Sequence, residues 1–330
     1  MKALVTGATG FIGGNLVREL LNQGYQVKAL VRKGSDRRNI EGLNVEVALG
    51  DLRDRSSLVS ALEGCDVLFH AAACYTFWAP DPKVIYEANV EGTKNVLSAA
   101  KERGIKKIVY TSTESTIGTA KNGCLGTEEM EADPSQLAGH YKKSKQMAEK
   151  LTLKMCCDGL PLVVVNPTTP VGPLDIKPTP TGQFIVDFLN GKMPAYVNTG
   201  LNLIDVQDVA RGHILALEKG RIGERYILGN RNMTFKEILG ILERITGMKA
   251  PRLRIPLWFA LGAGYIDEFV SGKILGKRPR IPVAGVKTAC KFRHFDCSKA
   301  INELGLPQTP VEEALERAVR WFRQNGYALQ

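Results

Sequence analysis

Two groups of residues in this chain have the types and spacing to do chemistry. The first is Thr6-Gly7-Ala8-Thr9-Gly10-Phe11-Ile12-Gly13, with glycines at 7, 10 and 13. Gly7 allows a tight turn, Gly10 lets the backbone approach a pyrophosphate with no Cβ in the way, and Gly13 lets a helix pack closely on a strand. The N–H groups that open the following helix then face the phosphates, assisted by the helix dipole. Thr9, Phe11 and Ile12 complete this dinucleotide cradle. The second group is Tyr141-Lys142-Lys143-Ser144-Lys145, which places Tyr141 and Lys145 on one helix face. A free tyrosine, with a pKa of about 10, is a poor base at neutral pH. A nearby ammonium and a positive nicotinamide ring favour its phenolate. Tyr141 would then exchange a proton with a substrate hydroxyl or carbonyl while the nicotinamide exchanges hydride at the same carbon.

The end of the second strand bears on which dinucleotide binds. An acid about twenty residues past the glycine motif binds a ribose 2′-hydroxyl. Here the strand ends Ala29-Leu30-Val31-Arg32-Lys33, with Arg32 at that position. A guanidinium grips a 2′-phosphate that a carboxylate would repel. NADP(H) is therefore favoured. NAD(H) stays open if Arg32 stacks on the adenine and Asp36 bends back to the ribose. Asp51, after the third strand, either bonds the adenine amine or caps the next turn. A hydroxyl for the reacting oxygen is expected within Thr111-Ser112-Thr113-Glu114-Ser115.

These groups need a scaffold. Strands are predicted at Lys2–Thr6, Gln26–Val31, 45–49, 66–71, Lys107–Thr111 and 162–165, and helices at 11–21, 56–62, 89–101 and 141–156. Apolar strands alternating with helices imply an α/β fold, a doubly wound parallel sheet covered on both faces. Residues 167–182 read as a long irregular loop rich in proline and glycine, and 226–228 as a strand returning to the sheet. The expected division is a dinucleotide-binding domain of residues 1–166, with approximately 203–228 returning to it, and a smaller substrate domain of 167–202 and 229–330. The last helix is expected to open on a capping box, Thr309-Pro310-Val311-Glu312, with Pro310 at its first position.

Bulk properties exclude several classes. The chain has 330 residues, 44% apolar and 24% charged, as in soluble globular proteins. Its seven cysteines include no CxxC pair, and its four histidines show no metal-ligand spacing. Reduced, mostly buried thiols and no metal are expected. The net charge is +10, with basic clusters at Lys33, Arg37 and Arg38 and again from Lys273 to Arg280. No zinc-finger or RNA-binding signature accompanies that charge, so no nucleic-acid partner is expected. The opening MKALVTGATG is not a secretory signal, and the apolar stretch 255–266 is too short to span a bilayer. A cytoplasmic location follows as the expectation.

The glycine turn, Gly50-Asp51-Leu52, His70-Ala71-Ala72-Ala73, Asn89-Val90-Glu91-Gly92-Thr93, Thr111-Ser112-Thr113, Tyr141 with Lys145, and Asn166-Pro167 occur in this order along the chain. Together they resemble the extended short-chain dehydrogenase/reductase family over the whole chain. The resemblance implies a Rossmann domain, a smaller carboxyl-terminal substrate domain and a Ser/Thr–Tyr–Lys triad. Thr113 falls at the position of the triad hydroxyl, with Ser112 as runner-up. The resemblance further implies that Lys145 contacts the nicotinamide ribose, that Leu52, Ala71, Ala72, Thr111 and Pro167 line the cofactor, and that the protein is a homodimer. Within the family, residues 75–82 and 175–182 are similar to the hopanoid-associated sugar epimerases, and the chain is also similar to dihydroflavonol reductases. Sugar-nucleotide epimerases hold NAD tightly and usually have an acid where Arg32 stands. That departure favours a reductase with exchangeable NADPH.

The loop after the fourth strand carries Tyr75, Phe77 and Trp78, where a substrate lies outside the strands' carboxyl ends. Three rings suit a flat, greasy or sugar-like substrate: a sugar nucleotide, a flavonoid-like molecule or a lipid-linked ketone or alcohol. Residues 257–269 read as an apolar core or lid helix in preference to a membrane contact, with Arg278 and Arg280 behind it. The leading function is an oxidoreductase acting on a secondary alcohol or ketone. An epimerase with bound NAD is the alternative, and a non-catalytic NADP sensor or scaffold is a third, which the intact Tyr141–Lys145 pair opposes.

Overall fold

The computed structural model describes residues 1–118, 124–277, 279–289 and 292–328. Arg278 and Cys290 therefore lie outside the described residues. The amino-terminal half alternates strand and helix: β1 (Lys2–Thr6), α1 (Phe11–Asn22), β2 (Gln26–Val31), β3 (Glu46–Leu49), α2 (Arg55–Ala61) and β4 (Val67–His70). Next come α3 (Lys83–Tyr86), a π-helical turn (Glu87–Glu91), α4 (Gly92–Glu102), β5 (Lys107–Thr111), α5 (Gly139–Cys157) and β6 (Leu162–Pro167). The helix expected over 89–101 thus begins earlier, and its π turn carries Asn89 into the interior.

The carboxyl-terminal half contains β7 (Thr169–Val171), α6 (Pro180–Leu189), β8 (Ala195–Tyr196), β9 (Gly200–Asp205), α7 (Val206–Lys219), β10 (Arg225–Leu228) and β11 (Arg231–Thr234). The chain continues through α8 (Phe235–Thr246), β12 (Leu253–Arg254), α9 (Leu257–Asp267), a π-helical segment (Glu268–Ile274), α10 (Val283–Thr288) and α11 (Val311–Gln324). Residues 167–182 are accordingly not an irregular loop throughout. They hold β7 and the start of α6, whose N-cap Thr179 accepts from the Gly182 N–H.

Seven strands form one parallel sheet in the order β3-β2-β1-β4-β5-β6-β10. The order reverses beside β1, which opens a crevice at the strands' carboxyl ends, the place where such sheets bind ligands. Strand side chains alternate between two cores. Ala3, Val5, Val109 and Val163 pack under α1 and α7, while Leu4, Ile108, Tyr110 and Leu162 pack under α2, α4 and α5. Both faces are covered, so the strands are apolar on both sides. A three-stranded sheet, β11-β9-β7, joins α6, α8 and α11 around a third core containing Ile185, Leu203, Leu239 and Phe322.

Two local expectations fail. Thr309 does not cap α11, because its N–H and hydroxyl both donate to the Asp208 carboxylate at 2.8 and 2.9 Å. Pro310 is instead the N-cap of α11, and the capping box sits at α8, between Thr234 and Glu237. The described cysteines are free, but only Cys297 is buried, and Cys124 and Cys157 are exposed. No helix among the described residues is long and apolar enough to cross a membrane.

Candidate active site

The glycine turn closes the carboxyl end of β1. Gly7 has φ +73°, and a Cβ there would meet the Ala72 backbone nitrogen at 2.7 Å. A Cβ on Gly13 would collide with the Gly7 carbonyl, so this glycine sets the helix against the turn itself rather than against β1. Gly10 is the N-cap of α1, with no side-chain cap and no acid in the first turn. The first-turn N–H groups are thus left to an anion. The turn is braced from beneath by Asn39, whose amide donates to the carbonyls of Thr9, Gly10 and Leu174 at 3.2, 3.1 and 3.0 Å. Leu174 itself holds φ +75°. Nothing in the motif's spacing pointed to Asn39, which lies 29 residues beyond Gly10.

Arg32 stands exposed just past β2; its carbonyl accepts from the Ser35 N–H at 3.1 Å, and its side chain has no hydrogen bond or ion pair among the described residues. It acts electrostatically on Asp51 and Cys74. Asp36 is held by Arg38, with three contacts to the guanidinium at 2.7–3.1 Å, which lower its carboxyl to about 2. Asp51 is likewise held by Arg53 at 2.9 and 3.0 Å and lowered to about 2. Leu52 is buried, and its carbonyl accepts from Asn95 at 2.9 Å. Ala71 and Ala72 donate to the Thr6 carbonyl and hydroxyl, both at 3.3 Å, and Pro167 ends β6 on the same edge.

Lys145 is buried against β5. Its ammonium donates to the Tyr110 hydroxyl at 2.9 Å and the Thr111 carbonyl at 2.8 Å. Desolvation lowers it to about 7, with Glu149 opposing. Tyr141 is buried too, and desolvation, then Tyr75, Glu114 and Tyr110, push its phenol well up; a hydrogen bond with Thr113 pulls the other way. Tyr141 and Lys145 share a helix face, but the ammonium is engaged by β5, and without a cofactor, burial raises the phenol's pKa.

The hydroxyls of the β5 end take three different roles. The Thr111 hydroxyl pairs with His213 Nε2 at 2.8 Å, so only its carbonyl serves the site. The Ser112 hydroxyl is buried without a partner. The Thr113 hydroxyl accepts from the Ser115 N–H at 3.3 Å and donates to the Ser115 hydroxyl at 3.4 Å, and Thr113 acts on Tyr141 to lower its pKa. A buried polar chain supports them: Thr6 to His70 Nδ1 (2.7 Å), His70 Nε2 to Thr93 (3.1 Å), and Asn89 to Ser144 (2.9 Å), whose hydroxyl reaches the Tyr141 carbonyl at 2.7 Å. Asn89 also accepts from the Cys74 N–H at 2.7 Å, fixing the start of the aromatic loop. Burial lowers His70 to about 3, so it is a neutral link in this chain.

The aromatic loop divides. The Tyr75 ring lies 4.7 Å from that of Tyr141 and 5.9 Å from that of Phe77. Phe77 and Trp78 instead lie against Gly285 and Gly272 of the later insert. An ion pair missed in the sequence closes this side: Arg293 with Glu114, both nearly buried. Glu114 raises the pKa of both Tyr75 and Tyr141, and Arg293 lowers that of Tyr75. Arg293 follows the insert, far along the chain, and no local pattern marks it.

Residues 3–229 match the NAD-dependent epimerase/dehydratase family. The chain belongs to that family. As an NAD-dependent epimerase/dehydratase it is an enzyme class member with reductases, epimerases and dehydratases among its kin. A Synechocystis sp. protein provisionally named dihydroflavonol 4-reductase is 47% identical over 327 residues, covering 98% of this chain and 95% of the relative. Sterol demethylase protein B of Methylococcus capsulatus is 36% identical over 327 residues, covering 99% of each. The crystal structure of gox2253 aligns at TM-score 0.88 and 44% identity over 99% of both chains. The residues on this crevice fit the family's dinucleotide: a turn in which Gly7, at φ +73°, packs directly on the Ala72 backbone, uncapped N–H groups at α1, and a Ser112 hydroxyl buried without a partner among the described residues.

Proposed function

We propose that this family member is an NADP(H)-dependent reductase of the dihydroflavonol-reductase type, working reversibly at a ketone or secondary alcohol carbon. The observation that carries the reading is Tyr141: a buried phenol on α5, its ring 4.7 Å from that of Tyr75, on the helix face it shares with a Lys145 held at the carboxyl end of β5. A bound nicotinamide supplies the hydride. The chain's own residues handle the proton. Burial keeps Tyr141 protonated, which suits donation to the oxygen of a ketone as it is reduced. Thr113 tempers the rise of that phenol's pKa, and the buried Ser112 hydroxyl, unpartnered among the described residues, is a second donor for the reacting oxygen. Lys145, fixed by Tyr110 and Thr111, would hold the ribose of a bound nicotinamide nucleotide by its ammonium.

Arg32 carries the cofactor preference. It is free for a 2′-phosphate, and the neighbouring acids Asp36 and Asp51 are already paired to Arg38 and Arg53. Residues 167–202 and 229–330 supply the substrate side, through Tyr75's neighbours and the insert above them. The aromatic wall suits an apolar ring system, in keeping with a flavonol in the name of one relative and a sterol in that of another. The test is NADPH oxidation by the purified protein across flat and polycyclic ketones, with sugar-nucleotide isomerisation run alongside. NADPH-dependent ketone reduction is expected. Isomerisation with stoichiometric NAD released on denaturation would replace this reading with the epimerase one.

A further inference from the structure

The insert over residues 253–289 has its polarity reversed. On α9 the side turned to the protein is small, Ala260 and Gly264 being buried. The two acids at its end are tied within the insert. Asp267 accepts from the Ser271 hydroxyl and the Ile281 N–H, both at 2.7 Å, and Glu268 accepts from the Val283 N–H at 3.1 Å. The outward side carries Trp258, Phe259, Tyr265, Ile266, Phe269 and Val270, spaced seven, four and three apart as on one helical face. Trp258 is 72% exposed, Ile266 68% and, farther on, Ile274 64%. A water-facing helix shows the opposite arrangement. Single exposed apolar side chains are ordinary, but a continuous face of large ones marks a contact surface.

The charge around this face is one-sided. From Lys249 to Lys291 the sequence has nine lysines and arginines and two acids, Asp267 and Glu268, both of them taken up by hydrogen bonds within the insert. Arg252, Arg254, Lys277, Arg280 and Lys287 are exposed around the apolar face, and the Lys287 ammonium sits 5.7 Å from the Tyr265 ring. Apolar side chains for the acyl boundary, rimmed by cations for phosphate headgroups, complement an anionic bilayer surface. The insert also roofs the substrate side. Trp78 lies against Gly272, Phe77 against Gly285, and Ala284 against Gly139 at the start of α5.

We propose that the outer face of residues 253–289 docks the protein on anionic lipid bilayers, setting the mouth of the substrate site at the membrane surface. The experiment is flotation of the full chain with vesicles of phosphatidylcholine alone and of phosphatidylcholine with phosphatidylglycerol, combined with quenching by brominated lipid. The protein is expected to float with the anionic vesicles, more weakly as salt rises. Lipid quenching should be lost in Trp258→Phe. The doubly substituted Trp258→Ser/Phe269→Ser and Lys277→Glu/Arg280→Glu proteins, checked for unchanged circular dichroism, should each bind at least about tenfold more weakly. No flotation, or equal flotation of wild type and both variants, overturns the proposal. So does a dimer in sedimentation equilibrium that Trp258→Ser/Phe269→Ser dissolves, without vesicle binding, which would assign the face to a second copy of the chain. None of these readouts depends on turnover, so the reductase reading stands or falls separately.

Discussion

Glu114 and Arg293 form a nearly buried ion pair between residues 179 positions apart. It ties the loop after β5, which carries Thr113, to the segment that follows the apolar insert. Its two charges bear on Tyr75, whose ring lies tilted 4.7 Å from that of Tyr141. Removing one partner leaves the other charge buried and alone, which costs about 3–5 kcal/mol. Arg293→Met is therefore expected to lower unfolding free energy by about that much. The double variant Arg293→Met/Glu114→Gln should recover a large part of it. A urea-unfolding cycle checks this, and additive losses would show that the pair is not coupled.

The cofactor preference rests on Arg32. Charge-assisted hydrogen bonds to a 2′-phosphate are worth about 1.5–3 kcal/mol. Arg32→Glu is accordingly expected to weaken NADPH binding by about tenfold to a hundredfold, with a much smaller change for NADH. Fluorescence titration of both nucleotides measures it.

Lys145 predicts a pH dependence of stability in the cofactor-free protein. Its folded value is about 7 against an ordinary 10.5, so between these the unfolded chain binds more protons than the folded one. Stability should therefore rise with pH from about 7 towards 10. Lys145→Met should be flatter over the same window in thermal melts across pH.

His70 acts at the acid end. Burial holds it at about 3, against 6.5 when unfolded. The unfolded chain again binds the extra proton, so stability is lost as pH falls below 6.5. His70→Asn should reduce the slope of unfolding free energy against pH between about 6 and 4 by the contribution of about one proton, as read by denaturant titration at each pH.

Much of the scaffold was legible because its signals are local. Gln26–Val31 and Lys107–Thr111 coincide with the observed strands, since apolar runs buried on both faces leave little ambiguity. The glycine positions located the turn, because φ +73° at Gly7 and the collision at Gly13 demand that residue. What was not legible depends on distant partners. Thr309 has the look of a cap, yet Asp208, 101 residues away, takes its hydrogen bonds. The Tyr141–Lys145 spacing gave a shared face but not the Tyr110 hydroxyl and Thr111 carbonyl that hold the ammonium. Residues 257–269 read as a core or lid helix, and only the structure shows that their large side chains face outward.

The central claim is that Tyr141 moves the proton while a nicotinamide moves the hydride. The most direct measurement is turnover of Tyr141→Phe with NADPH and the ketone on which the wild-type protein is most active. The expected result is a kcat lower by about 10²–10⁴ with NADPH affinity unchanged, since the phenol is removed and the glycine turn is untouched. Wild-type turnover in Tyr141→Phe would contradict the account.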